Sequence, residues 1–165
     1  MKILLVAALA ALAASPSAAQ TLSLSGATGQ TATLTAADVA ALPHVQVATE
    51  AHGQTHVYSG VVLGDILAKV GAPRGEAIKG PELATVVRFT AKDGYQVVLD
   101  LAQTDPLTRA SRVIVADREA GVPLKDDGPF RLVIEDDLRP ARSARQLEKI
   151  EVLKLSTTSK AGKGH

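Results

Sequence analysis

The chain has 165 residues, of which 18 are lysine or arginine and 17 are aspartate or glutamate, so the formal net charge is +1. This balance excludes the strongly basic surface of a nucleic-acid binder or a membrane-surface binder. The sequence has no cysteine, and only 2% of its residues are aromatic. Thiolate chemistry is therefore excluded, and aromatic stacking platforms for bases or sugars are nearly absent.

The first 19 residues have the three parts of a secretory signal peptide. Lys2 is a positive n-region, Ile3–Ala14 is an apolar h-region too short to cross a bilayer comfortably, and Ser17–Ala19 is a small-residue cleavage site. The pattern predicts cleavage near Ala19, with a retained membrane anchor as the alternative. We expect a mature chain that is periplasmic or secreted and does not insert into the membrane.

The remaining residues divide into one domain and a tail. Residues 20–155 are enough for a single domain with a substantial apolar core. Residues 156–165 are polar, contain glycine and lack apolar periodicity, so we expect them to form a disordered tail.

The first predicted elements are a hairpin and a capped helix. Polar and apolar residues alternate over 21–25 and again over 31–34, with glycines between them, which predicts two paired strands. Thr35 and Asp38 have the spacing of a capping box. In this motif each of the two side chains accepts a hydrogen bond from the backbone N–H of the other residue. A helix is expected over 36–42.

A second hairpin leads into the most regular stretch of the chain. A strand is predicted over Val45–Thr49, and the short loop Ala51–Gln54 returns the chain towards Tyr58. From there a strand runs directly into an amphipathic helix, which Gly71 ends. The apolar positions of this helix have the i, i+3, i+4, i+7 spacing of one buried face; they are Leu63, Ile66, Leu67 and Val70.

The second half of the chain is predicted to be mostly strand. Strands over 84–90 and 95–99 are joined through Asp93-Gly94, a strong hairpin signal because this pair tolerates positive φ. Three further strands are predicted, the first of them buried on both faces: Val113–Ala116, Phe130–Glu135 and Glu148–Leu155. About eight short strands with two or three short helices indicate an α+β domain.

One polar segment, residues 139–145, has the composition of an anion-binding loop. It holds three arginines and Ser143 within seven residues, and guanidinium groups bind phosphate-like anions through forked hydrogen bonds. The alternative is that these arginines pair with the acidic residues at 135–137 just upstream. From the sequence alone the two interpretations have about equal weight.

The histidines give a weaker signal. His52 and His56 are four residues apart, a spacing that converges on one metal only when both lie on a helix. Here one lies in a loop and the other on a strand, with Glu50 as the nearest further ligand. We therefore predict no metal site, and no catalytic residue can be assigned from the sequence.

Several stretches, taken in order, resemble the molybdopterin-binding domain of the sulfite oxidase family. The resemblance spans residues 21–155, and it implies a mixed α+β fold with a coiled, barrel-like sheet. It rests on Leu34–Pro43, Tyr58–Leu67, Asp93–Tyr95, and Gly128–Val133 followed by Arg142–Val152.

The resemblance also implies a cofactor site, which this chain only partly retains. In the family, a loop after the strand matching Val45–Thr49 carries the cysteine that ligates molybdenum, and this chain has no cysteine. In the family, a basic residue in the segment that matches residues 142–145 helps to hold the pterin cofactor. The resemblance therefore implies a cofactor-binding role for Arg142, Ser143 and Arg145. His52, His56 and Tyr95 are the residues we expect to approach from the opposite side.

These observations predict an exported molybdopterin-binding-fold domain that binds a small anionic ligand or a periplasmic protein partner, without molybdenum catalysis. One alternative is a molybdopterin-dependent oxidoreductase domain or subunit. The other is a purely structural or interaction protein.

Overall fold

The computed structural model describes residues 20–156. The predicted signal peptide, its cleavage site and all but the first residue of the predicted tail lie outside this range. Within it the chain forms two α-helices, α1 Ala36–Ala40 and α2 Leu63–Ala68, and ten strands. The strands are β1 Leu22–Ser25, β2 Thr31–Leu34, β3 Val45–Ala51, β4 Gln54–Val62, β5 Thr85–Ala91, β6 Gln96–Asp100, β7 Val113–Glu119, β8 Val122–Pro123, β9 Arg131–Ile134 and β10 Leu147–Lys154.

The strands form two five-stranded sheets. Sheet A has the order β2-β1-β10-β5-β6, in which β1 and β10 are parallel and the other neighbours are antiparallel. Sheet B has the order β3-β4-β7, and both β8 and β9 pair with the remaining edge of β7. The described residues thus confirm an α+β fold with a mixed sheet. They show two separate sheets and no closed barrel, so the single coiled, barrel-like sheet is not observed.

The N-terminal elements agree closely with those predicted from the sequence. β1 and β2 pair from Leu22 opposite Leu34 to Ser25 opposite Thr31, and the capping box at α1 is formed. The Asp38 amide donates to the Thr35 hydroxyl over 3.2 Å, and the Thr35 amide donates to the Asp38 carboxylate over 2.8 Å. α1 is two residues shorter than predicted, ending at Ala40.

The predicted strand–helix unit is confirmed. β4 runs directly into α2, and the four apolar residues of the predicted face are at most 1% exposed. Gly71, with φ of 71°, supplies the left-handed residue that ends the helix. β4 itself passes very close to β7, because a Cβ on Gly60 would lie 2.3 Å from the Val115 carbonyl oxygen. Only glycine fits at this position.

The apolar core lies mainly against sheet A. The larger cluster combines the inner face of sheet A with α2 and one face of β7 and β9, including Phe89 and Phe130. A smaller cluster on the other face of sheet B contains Val47, Tyr58 and Ile114. β7 contributes to both, as its apolar run predicted. Among residues 20–156, no helix has the length and apolar character needed to cross a membrane.

Candidate functional site

The segment between β9 and β10, residues 135–146, is the centre of the candidate site. We call it the β9–β10 connection. It contains a single 3-10 turn, Pro140–Arg142, and three surface cavities have residues of the connection in their walls. The two larger ones both include Pro140 and Ala141. The arginine-rich segment singled out in the sequence therefore does lie against concave surface.

The first cavity, which we call the Tyr95 cavity, has a volume of about 220 Å³. It lies between the β5–β6 hairpin and the β9–β10 connection, and its walls include Asp93, Tyr95, Ser143 and Arg145. The Tyr95 hydroxyl donates a hydrogen bond of 2.6 Å to the Ala141 carbonyl, which ties the hairpin to the connection. Three of the predicted site residues are thus brought together here.

Arg142 is engaged within the protein. Its Nε and Nη2 atoms donate to the two oxygens of Asp137 over 3.0 and 2.6 Å, the forked geometry that a guanidinium and a carboxylate prefer. The hydrogen bond to Asp137 raises the pKa of Arg142 above its ordinary value. Arg142 does not line the Tyr95 cavity, so the structure places it in an ion pair rather than towards a ligand.

Arg145 is held much more loosely. Its side chain is 66% exposed, and its Nε lies 3.4 Å from the Asp127 carboxylate. Asp127 has a second and closer partner in Arg131, whose side chain is only 8% exposed. The negative charge of Asp127 is therefore already compensated by Arg131. Arg145 is free to turn towards the cavity without leaving a carboxylate unpaired.

Arg131 is a component of the site that the sequence analysis missed. It is a buried arginine at the start of β9, with its guanidinium 4.9 Å from the centre of the Tyr58 ring. Its Nε is buried and has no hydrogen-bond partner within the described chain. The signal was available as Asp127 four residues before an arginine inside an apolar strand, because a buried arginine requires a nearby carboxylate.

His52 lies at the tip of the β3–β4 hairpin. His52 and Gly53 have φ of 53° and 75°, so both turn residues are left-handed, as a two-residue hairpin turn requires. His52 lines the second cavity, which we call the His52 cavity. This cavity has a volume of about 550 Å³ and is otherwise walled by Glu50, Ala51, Leu138, Arg139, Pro140 and Ala141.

His56 is directed elsewhere. Its Nδ1 lies 2.6 Å from the Glu119 carboxylate, and its ring stacks on that of Tyr58 at 6.2 Å with an angle of 12° between the planes. Burial raises the pKa of Tyr58. His56 lines neither the Tyr95 cavity nor the His52 cavity. The two histidines are thus not brought together, and residues 20–156 hold no cluster of three potential metal ligands.

The acidic run at the start of the β9–β10 connection divides among different roles. Glu135 receives hydrogen bonds of 2.9 and 2.7 Å from Arg112, which lowers the pKa of this glutamate. Asp136 is exposed with φ of 66°, and Asp137 pairs with Arg142. Pairing within the connection therefore accounts for one of its arginines only.

Comparison with known proteins shows a likeness in fold. No family model matches the chain, and no curated protein matches it in sequence. The crystal structure of the sulfane dehydrogenase SoxCD from Paracoccus pantotrophus is similar, with a TM-score of 0.60 at 16% sequence identity. The match covers 86% of this chain and 40% of the SoxCD chain. The chain thus spans less than half the length of that neighbour, and at this identity the likeness concerns the fold alone.

Proposed function

We propose that this chain is a binding domain built on an oxidoreductase-type fold, and that it takes a small anion, or an anionic group of a partner, in the Tyr95 cavity. The observation that carries the proposal is the convergence of Tyr95, Ser143 and Arg145 on one concave surface. A forked cation, a hydroxyl and an aromatic wall are the groups with which proteins commonly orient a small anionic ligand.

The contrast between the two arginines supports Arg145 as the anion-binding group. Arg142 makes two short hydrogen bonds to its partner, whereas Arg145 makes one longer contact to a carboxylate that already has a buried partner. Displacing Arg145 from Asp127 costs little, because exposed ion pairs contribute only about 0–1 kcal/mol. A ligand can therefore recruit Arg145 without breaking the fold.

The other groups that line the Tyr95 cavity restrict the charge of the ligand that can bind there. The Tyr95 hydroxyl already donates to Ala141 and so presents an acceptor, while Ser143 lines the cavity with a hydroxyl that can donate. Asp93 also lines the cavity, and its negative charge repels polyanions. A monoanion, or the carboxylate of a zwitterion, fits this set of groups better than a multiply charged phosphate.

A molybdenum-bearing pterin does not fit the residues present. The family that the sequence resembles anchors its metal through a cysteine, which this chain lacks, and imidazole is a poorer ligand for a soft site. The turn at the corresponding place is reduced to His52 and Gly53, and Arg142 is taken by Asp137. We therefore assign no redox step to this chain alone.

The second candidate is a domain or subunit of a redox enzyme. It is favoured by the fold shared with sulfane dehydrogenase and by the 40% of that chain that the match covers. In that case another domain or chain supplies the redox centre. A purely structural role is the third possibility, and it predicts that the Tyr95 cavity binds no ligand.

Titration with acetate, sulfate and phosphate tests the proposed function. We expect the parent protein to bind acetate in preference to sulfate and phosphate, and Arg145→Gln to lose that affinity, by roughly 1.5–3 kcal/mol for each charged hydrogen bond removed. Arg118→Gln is the matched control, because Arg118 is 45% exposed, and its Nε lies 3.9 Å from the carboxylate of the neighbouring Asp117 on β7, away from the cavity. Equal losses in both variants, or no anion binding by the parent, would reject the site.

Two measurements on protein purified from its own source separate the remaining candidates. Metal analysis should find molybdenum well below one atom per chain, whereas near-stoichiometric molybdenum with pterin fluorescence after denaturation would favour the second candidate. Intact mass should show cleavage after Ala19, as the N-terminal sequence predicts. A mass that retains residues 1–19 in periplasmic protein would contradict export with cleavage.

A further inference from the structure

The Tyr95 cavity contains one acidic and one basic side chain. Asp93 and Arg145 are the charged residues among those that line it. Arg145 makes one long contact to Asp127, whose charge Arg131 already compensates. Asp93 takes part in none of the ion pairs among residues 20–156. Once Arg145 turns towards the cavity, the cavity therefore presents one positive and one negative charge to a ligand.

The acid and the base come from the two segments that border the cavity. Asp93 belongs to the turn of the β5–β6 hairpin, where its Oδ1 accepts a hydrogen bond of 2.9 Å from the Tyr95 amide. This local bond orients the carboxylate within its own turn. Arg145 belongs to the β9–β10 connection, and the Tyr95 hydroxyl ties the hairpin to that connection at Ala141. The spacing between the two charged segments is therefore fixed by the fold.

A pair of opposite charges favours a dipolar ligand over a simple anion. A carboxylate that binds Arg145 also lies near Asp93, and like charges repel each other. An ammonium group on the same ligand turns this repulsion into attraction. It also donates up to three hydrogen bonds, and both the Asp93 carboxylate and the Tyr95 hydroxyl oxygen can accept one.

The distribution of burial within the cavity shows where each part of such a ligand fits. Ala91 and Ala144 are 4% and 2% exposed, whereas the Arg145 side chain is 66% exposed and Asp93 is also exposed. The charged groups thus lie at the rim, and the buried alanines form an apolar floor. A ligand with both charges at one end and an apolar group at the other matches this arrangement.

We propose that the Tyr95 cavity binds a small zwitterion of the α-amino-acid class with an apolar side chain. Arg145 and the Ser143 hydroxyl bind its carboxylate, Asp93 binds its ammonium group, and its side chain packs on the two buried alanines. The inference rests on the proposed anion site. It adds Asp93 as the residue that determines which carboxylate-bearing ligands are preferred.

Three small molecules of related structure test the proposal. L-Valine carries both charges on one carbon, isovalerate is the same molecule without the ammonium group, and 5-aminopentanoate is an isomer of valine with its charges at opposite ends. Binding is measured from changes in the amide NMR signals of the isotope-labelled protein. L-Valine should bind about fivefold more tightly than isovalerate, the factor that one exposed ion pair supplies. It should also bind more tightly than 5-aminopentanoate.

Two variants assign the preference to Asp93. Asp93→Asn should bind L-valine no more tightly than isovalerate, and should bind isovalerate more tightly than the parent does, because the repelling charge is gone. Asparagine keeps a side-chain oxygen that accepts from the Tyr95 amide, so the turn is retained. Asp136→Asn is the matched control. It removes the same charge from an exposed position that does not line the cavity, and should keep the parent's preference.

The outcomes separate this proposal from the anion site on which it rests. If the parent binds isovalerate through Arg145 but binds L-valine no more tightly, the anion site stands and the zwitterion assignment is wrong. A preference for L-valine that Asp93→Asn retains would also overturn the assignment. So would binding of 5-aminopentanoate that is as tight as that of L-valine. If the parent binds none of the three molecules, both the anion site and the zwitterion assignment fail.

Discussion

Helix α2 and the β9–β10 connection both join strands of the domain, but they are held in place by different forces. The helix buries its whole apolar face, and within residues 20–156 its one ion pair is that of Asp65 with Arg74 at its exposed side. The connection buries little apolar surface and is fixed by Glu135–Arg112, Asp137–Arg142 and the Tyr95 hydroxyl. Apolar burial stabilises the fold but is non-directional, whereas charge-assisted hydrogen bonds also fix the orientation of particular side chains at the surface.

The largest expected effect is at the helix. Leu67→Ala removes a side chain that is 1% exposed in the larger core cluster. It should lower the free energy of unfolding by about 2–5 kcal/mol, through lost transfer energy and a residual cavity. Urea denaturation measures the change, with the exposed Lys69→Ala as control. A loss below about 0.5 kcal/mol would show that apolar burial does not dominate at α2.

The next largest effect on stability is expected at Arg131 in β9, the strand that precedes the β9–β10 connection. Arg131→Gln leaves Asp127 with only the loose contact to Arg145. Breaking a fully buried ion pair costs about 3–5 kcal/mol, and Asp127 is 25% exposed, so we expect about 2–3 kcal/mol. The double variant with Asp127→Asn should recover part of this loss. If the double variant is less stable than Arg131→Gln, the carboxylate is not the source of the cost.

A smaller effect should separate the two arginines of the connection. Arg142→Gln removes a forked pair whose guanidinium is 41% exposed, so solvent screening limits the loss to about 1 kcal/mol. Arg145→Gln should change the free energy of unfolding by less than about 0.5 kcal/mol. Thermal unfolding of both variants side by side gives the comparison. Equal losses would mean that Arg145 is also structural, which would weaken the case for an anion site.

Lowering the pH should weaken the stabilising contacts of the β9–β10 connection and leave the apolar packing of helix α2 unchanged. Hydrogen bonds from Arg112 lower the pKa of Glu135 below its ordinary value of 4.5. The unfolded chain therefore takes up this proton first as the pH falls. The contribution of Glu135 is complete above about pH 5 and is lost as the pH falls through its folded pKa. Glu135→Gln should flatten the acid limb of a stability–pH profile, while Leu67→Ala should lower the whole profile without changing its slope.

The same contrast explains how much the sequence could predict. The strand–helix unit, the capping box at Thr35 and the Asp93-Gly94 hairpin depend on spacing within a few residues, and all three are present. The partner of Glu135 is Arg112, 23 residues upstream, although three arginines follow it closely. Such pairing depends on β7 lying beside β9, which no local pattern encodes.

The arrangement of the sheets could not be predicted from local sequence patterns either, because it also depends on pairing between strands that are distant in the sequence. The family resemblance implied one coiled sheet, and the division into two sheets depends on β10 pairing with β1 and β5 rather than with β9. Of the candidate residues, Tyr95, Ser143 and Arg145 meet at one cavity, whereas Arg142, His52 and His56 each lie elsewhere. Arg131 was missed although Asp127, four residues before it, was an available signal of a buried ion pair.

The central position of β10 has a consequence for how the protein is made. The last strand of the domain lies in the middle of sheet A, between β1 from the beginning of the domain and β5 from its middle. During synthesis the β1–β2 and β5–β6 hairpins can form early, but they cannot join until residues 147–154 leave the ribosome. Two-stranded hairpins alone are marginally stable. A chain cut before Leu147 thus keeps the sequence of both hairpins but loses the strand that unites and stabilises them.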